Sequence, residues 1–195
     1  MSYLVGLGVV AVSAILGAAT WGTIRALAGL PLRRVALEVV FVGYLIAVVA
    51  VVVVPFGRVT GLEPAYSTPP INLVPLASVI GLVRDLPRQV VRQLGGNVVM
   101  FVPLGLLAPV LFARLRRPLT LAATALAVSF GIEVVQLGLR LMSLSPRSFD
   151  VDDVLLNIVG ALVGYGLWWV TARVVGSRGG RVGAGGSEND GMRSV

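Results

Sequence analysis

Long apolar runs separated by short arginine-bearing segments dominate the pattern of this 195-residue chain. The first run, residues 3–24, stops at Arg25, and the second, residues 35–54, follows Arg33 and Arg34. Pro55, Phe56, Gly57 and Arg58 end the second run, and one long connection over about 56–95 comes next. The third run covers about 97–112 and is terminated by Arg114, Arg116 and Arg117; the fourth covers about 118–142 and the fifth about 154–175. A helix needs about 20 apolar residues to cross a bilayer, so the pattern predicts about five spans. A membrane β-barrel would instead alternate over segments of about 10 residues, and these runs are longer and uniformly apolar. The predicted fold class is an all-α, polytopic transmembrane helical bundle.

The long connection carries its own pattern. Over residues 76–94, Arg84, Arg88 and Arg92 recur every four residues, while Leu82, Val83, Leu86, Val90, Val91 and Leu94 supply an apolar side. Such spacing stacks the arginines on one helical face and predicts an interfacial helix, with Pro87 breaking or kinking it. Three units result: an extra N-terminal transmembrane helix over 1–29, a membrane domain over 30–175, and a Gly- and Arg-rich tail over 176–195. The tail lacks apolar periodicity and is expected to be a disordered cytoplasmic segment.

Composition narrows the chemistry. The chain is 56% hydrophobic and 13% charged, with mean hydropathy +0.92, against about 25% charged residues in a soluble domain. It contains no cysteine and no histidine, which excludes disulfides, thiolate zinc sites, thiol nucleophiles and histidine catalysis. Any metal would be oxygen-ligated; no metal site and no cofactor is assigned. All sixteen cations are arginine, and the net charge of +7 is not a nucleic-acid signal, because these residues sit between spans as the positive-inside bias dictates. No positive charge precedes the first run, so an uncleaved span with its N-terminus outside fits better than a cleavable signal peptide. That orientation puts ten arginines inside and six outside, and makes the long connection and its interfacial helix extracytoplasmic.

The same topology collects the polar residues. Asn72 lies on the outer connection and Asn97 opens the third span. Glu133 and Gln136, three residues apart and hence on one face, lie in the outer half of the fourth span. Arg147 precedes the fifth, Asp150, Asp152 and Asp153 open it, and Asn157 lies one turn below. Three of only nine acids therefore stand at one membrane edge. A carboxylate left in hydrocarbon costs several kcal/mol, so Glu133 should face the bundle interior, with Arg140, Arg147, Gln136, Asn97 and Asn157 as available partners. The alternatives are interhelical hydrogen bonding for Glu133 and capping of the fifth helix for the aspartates. Ser129, one turn before Glu133, reads as a helix-packing serine. Glu38 is expected to pair with Arg34 one turn away, Pro103 and Pro109 to distort the third span, and Gly160, Gly164 and Gly166 to let helices approach closely.

Four motifs in order carry a family resemblance: Asn72-Leu73-Val74-Pro75-Leu76; Asn97-Val98-Val99-Met100-Phe101-Val102-Pro103-Leu104-Gly105; Ser129-Phe130-Gly131-Ile132-Glu133-Val134-Val135-Gln136; and Arg147 through Asn157 with Gly160 and Gly164. Over about residues 33–169 the chain resembles the VanZ-like family of bacterial membrane proteins. Met100 and Leu76 stand where many relatives carry other apolar or aromatic residues. The resemblance implies a small multi-pass protein of the bacterial cytoplasmic membrane, in the context of low-level resistance to the glycopeptide teicoplanin. It implies motif roles for Asn72, Asn97, Phe101, Pro103, Gly105, Glu133, Gln136, Arg147, Asp150, Asp153, Asn157 and Gly160.

Three readings of function follow. The leading one is a binding or handling role toward an amphipathic molecule of the outer leaflet: a membrane lipid, a lipid-linked cell-wall precursor or a lipophilic glycopeptide. Its binding residues are Asn72, Asn97, Glu133, Gln136, Arg147, Asp150, Asp153 and Asn157, with Arg84, Arg88 and Arg92 available to anionic groups. The second is an intramembrane, metal-assisted hydrolase or transferase with Glu133 as general base, although no nucleophile-and-base pair is evident. The third is a non-catalytic scaffold for another membrane protein. A transport pathway is disfavoured, since the polar residues do not continue into the inner half.

Overall fold

The computed structural model describes residues 2–53, 71–85, 87–142 and 147–184. The chain runs through helices α1 (Ser2–Leu27) and α2 (Leu32–Val53), a two-residue strand β1 (Ile71–Asn72), then α3 (Ala77–Asp85) and α4 (Pro87–Leu111). A 3₁₀ turn (Ala113–Arg116), α5 (Pro118–Leu141), strand β2 (Phe149–Asp150) and α6 (Val151–Ala184) complete it. Among the described residues, α2, α4, α5 and α6 contain segments long and apolar enough to cross a membrane. The expected first run lies within α1, which is 26 residues long. The architecture is an all-α membrane bundle.

Local chemistry sets the helix boundaries. Gly29 adopts φ +73°, donates its N–H to the Ala26 carbonyl, and is followed by Leu30 donating to the Arg25 carbonyl. This is the Schellman arrangement that ends a helix at a glycine in the left-handed region, and Pro31 behind it forbids continuation. Proline at the first helical position, where its missing N–H has no intrahelical partner to lose, starts both α4 and α5.

Pro87 also changes one expectation. The amphipathic stretch over 76–94 is not a single interfacial helix: α3 ends at Asp85 and Pro87 opens α4, which continues without interruption to Leu111. Arg84 therefore belongs to α3, and Arg88 and Arg92 to the start of α4, so the three arginines do not share one helical face. Proline cannot sit in a helix interior without losing a hydrogen bond and clashing with the preceding turn, but it initiates a new helix well. A second difference lies at the other end. The expected tail boundary falls inside α6, which continues past Val175 to Ala184; each residue added to an existing helix brings a hydrogen bond without a new nucleation step. Residues 185–195, and the part of the long connection over 54–70, lie outside the described residues.

The scaffold is centred on α4 and α6, the most extensively packed pair. They run side by side in the same direction with their backbones touching. A Cβ on Gly160 would lie 2.1 Å from the Val98 carbonyl oxygen, on Gly164 2.1 Å from that of Val102, and on Gly105 1.9 Å from that of Ala161. In a bilayer, close packing of small residues replaces the hydrophobic effect as the force between helices. Phe41, Phe101, Leu104, Ala108, Leu121, Ala125 and Ala161 fill the space where α2, α4, α5 and α6 meet. Helix α1 packs on α2, where Arg25 meets Glu38 in a two-point contact (Nε–Oε2 2.6 Å, Nη2–Oε1 2.9 Å). Arg34 joins the same carboxylate at 3.2 Å, as its one-turn spacing predicts. Large apolar side chains such as Val134, Leu162, Leu167 and Val170 face outward, the surface a bilayer would solvate.

The α4–α6 contact predicts an asymmetry between neighbouring glycines. Gly164→Ala should lower stability by roughly 1–3 kcal/mol, because the new methyl must push two backbones apart. Gly166→Ala, with nothing within 4 Å of the added carbon, should be neutral or slightly stabilising. Thermal unfolding of the detergent-solubilised variants checks both; equal losses would contradict the close approach.

Candidate functional site at the polar end of the bundle

Helix α5 brings the first half of the site. Its buried residues are Leu121, Ala125, Ser129, Glu133, Gln136 and Arg140, spaced by three or four and so forming one stripe. The stripe is apolar at the Pro118 end and polar toward Leu141. It faces α6, where Asn157 donates Nδ2–H to Ser129 Oγ at 2.8 Å. Glu133 is 1% exposed, Asn157 1% and Asp152 2%, which puts these polar groups fully inside the bundle.

The second half comes from the chain entering α6. Strands β1 and β2 pair in parallel, Ile71 opposite Phe149 and Asn72 opposite Asp150, and buried Phe149 packs edge-on against Phe130 of α5 at 5.7 Å. This short pairing ties the connection after α2 to the mouth of α6. The Asp150 backbone N–H donates to Glu133 Oε2 at 2.9 Å. Its carboxylate accepts from Asn72 Nδ2 at 3.1 Å and from the Ser78 hydroxyl, and also from the Asp152 N–H at 2.9 Å. The last bond makes Asp150 the N-cap of α6.

The three aspartates thus have three different duties. Asp150 caps α6, in part as the capping alternative anticipates. Asp152 caps α3 instead of its own helix: one carboxylate oxygen accepts from the Leu76 N–H, and the other from Ser78 N–H at 2.9 Å and Val79 N–H at 3.2 Å. Leu76 takes φ +66° to present its N–H, a left-handed conformation that costs a branched residue about 1–2 kcal/mol. Asp153 does neither and accepts from Asn97 Nδ2 of α4.

These contacts gather six of the eight expected binding residues at one end of the bundle. Asn72 joins Asp150, Asp150 joins Glu133, Asn97 joins Asp153, and Asn157 joins Ser129 one turn from Glu133. Gln136 lies on the same buried stripe. Arg147 is a cation whose field reaches both Glu133 and Asp153. The expected partnering of Glu133 is met first by the Asp150 backbone. The Asn157 Oδ1 atom is buried without a hydrogen-bond partner, a state that costs roughly 1–3 kcal/mol. Arg84 is exposed on α3 and is drawn into none of these bonds, while the side chains of Arg88 and Arg92 lie outside the described residues.

Two residues of the site are not on the expected roll. Ser78 both accepts from Asn72 at 2.9 Å and donates to Asp150, and Asp152 holds α3. Ser78 carries a local signal, since it stands in the first turn of a predicted helix, where hydroxyls are favoured. The partner choice of Asp152 carries none, because it depends on a contact between residues 76 positions apart.

The VanZ/LLP1 family model matches residues 41–172, more than half of the chain and all eight expected site residues. No curated protein and no solved structure matches the chain.

The geometry makes Asp152 the residue on which the position of α3 depends. Asp152→Ala would strand three backbone donors and should destabilise the protein by about 2–3 kcal/mol; Asp152→Asn, which keeps one acceptor oxygen, should lose less. The loss should be local first. Limited trypsin digestion in membranes should cut after Arg84 faster in Asp152→Ala than in the parent, and an unchanged rate would contradict the capping role.

Proposed function

Because the chain belongs to the VanZ/LLP1 family, whose members are membrane-associated, we propose that the polar end is its working surface and serves to bind an amphipathic molecule. The partner we infer is a lipid, a lipid-linked cell-wall precursor or a lipophilic glycopeptide in the outer leaflet of a bacterial cytoplasmic membrane. The protein would be multi-pass with its N-terminus outside, and its biological setting would be teicoplanin-type resistance.

The observation that carries this reading is a buried acceptor without a partner, Asn157 Oδ1, one helical turn from Asp153. Asp150 and Asp152 are consumed by caps and strand contacts. Glu133 accepts from the Asp150 N–H and Asp153 from Asn97, whereas Asn157 Oδ1 is buried without a partner. Acceptors held close together in an apolar bundle repel one another and gain strongly from an incoming donor or cation. An amine or a hydroxyl-rich head group supplies such donors, and Arg147 beside them suits an anionic group of the same molecule. Apolar helix surfaces around the site suit its lipid portion.

A scaffold reading is favoured by one observation, the structural duties of Asp150 and Asp152. A metal-assisted hydrolase gains less support: among the described residues no three or more Asp or Glu side chains come together as a cation site.

Glu133→Gln and Asp153→Asn, each expressed in a glycopeptide-susceptible bacterium, separate the readings. The binding account expects membrane levels equal to the parent and teicoplanin susceptibility restored to that of cells lacking the protein. Parent-like resistance at normal abundance would sink it. Resistance lost only in step with abundance would favour the scaffold.

A further inference from the structure

The opposite end of the bundle holds a cavity that the polar site does not explain. It measures about 490 Å³ and lies between the start of α2 and the end of α4. Arg33, Arg34 and Arg116 stand around it, and Leu37, Val110 and Leu111 provide apolar wall. The spans of α2 and α4 begin at Leu32 and end at Leu111, so the cavity sits at the level where hydrocarbon gives way to head groups. Val110 in its wall, and Leu32 and Phe112 next to lining residues in the chain, are exposed.

Charge around it is not balanced. The ion pairs among the described residues are Arg25–Glu38 and Arg34–Glu38, so one carboxylate serves two arginines and none is paired with Arg33 or Arg116. Arg116 is also placed with care. Its Nε–H donates to the Pro109 carbonyl at 3.1 Å and its own carbonyl accepts from the Tyr165 hydroxyl at 2.8 Å, fixing it beside the cavity while the outer guanidinium nitrogens keep their donors. A bias of arginines toward one face requires only their number. It does not require arginines from two separate segments to converge on a half-apolar cleft.

We propose that this cleft is a binding site for an anionic phospholipid, with the phosphate held by Arg33, Arg34 and Arg116 and the upper acyl chain laid along Leu37, Val110 and Leu111. Guanidinium groups engage phosphate through paired, charge-assisted hydrogen bonds, and basic pockets between spanning helices are a known form of lipid head-group recognition. A free phosphate ion would satisfy the arginines but leave the apolar wall unused. The lipid would bridge the α1–α2 link to the end of α4, joining the N-terminal helix pair to the α4–α6 scaffold independently of the polar end.

The test uses the full chain, purified in a zwitterionic detergent and titrated with phosphatidylglycerol, phosphatidylcholine or inorganic phosphate. Native mass spectrometry reads retained adducts, and thermal unfolding reads stabilisation. Phosphatidylglycerol should bind about tenfold or more tightly than phosphatidylcholine, the scale of one or two charged hydrogen bonds. Arg33→Gln with Arg116→Gln should erase that preference. Leu37→Trp, which fills the cleft and keeps every charge, should erase it too, whereas Arg84→Gln should keep it. Equal stabilisation by inorganic phosphate, or a preference surviving either the arginine or the tryptophan substitution, would overturn the proposal.

Discussion

The first backbone N–H groups of a helix have no intrahelical acceptor, and the Asp152 carboxylate meets that constraint for three backbone amides at the start of another helix. Its bonds to Leu76, Ser78 and Val79 hold α3 against the mouth of α6, and the rest of the polar end follows. With α3 in place, Ser78 reaches Asp150; Asp150 can then pair with Asn72 and cap α6, and its N–H is aimed at Glu133. The close crossing of α4 and α6 at Gly105, Gly160 and Gly164 supplies the complementary constraint, because it sets Asn97 beside Asp153.

This arrangement sorts four carboxylates into two kinds. Asp150 and Asp152 are acceptors for the chain itself, and a substitution there acts through the fold. Glu133 and Asp153 cap no helix; they accept from the Asp150 N–H and from Asn97, near an amide oxygen that has no partner. Stability alone would favour neutral residues in such positions, and the proposed ligand would supply what the fold does not ask of them. The two ends of the protein then have opposite characters: acceptors and carboxylates near the start of α6, guanidinium groups near the end of α4. An amphipathic partner at either end would meet a charged rim above an apolar wall.

Much of this was legible in the sequence. The runs over 35–54, 97–112, 118–142 and 154–175 reappear within a few residues as α2, the later part of α4, α5 and α6, because apolar length is a direct consequence of bilayer thickness. The meeting of Asn72, Asn97, Glu133 and Asp150 also follows from the predicted topology, which puts Asn72 on the outer connection and the others in the outer part of the predicted spans or at their mouth. What could not be read was which partner each polar group takes. Asp152 looks like a cap for α6, and only the fold turns it toward α3. The break at Pro87 was visible as a proline, yet whether it kinks one helix or starts another depends on α4 finding a groove on α6. The cleft at Arg33 and Arg116 had no signal at all, because those residues are far apart in the chain and read simply as topological charge.

The central claim is that Glu133 is held for a ligand while Asp152 is held for the fold. Direct binding to the purified protein in lipid nanodiscs tests it most closely, with teicoplanin and a lipid-linked wall precursor as probes and the thermal midpoint as readout. The account predicts that one probe raises the midpoint of the parent and that Glu133→Gln abolishes the rise while leaving the unliganded midpoint close to the parent's. A rise that survives Glu133→Gln, or no rise with either probe, would contradict it.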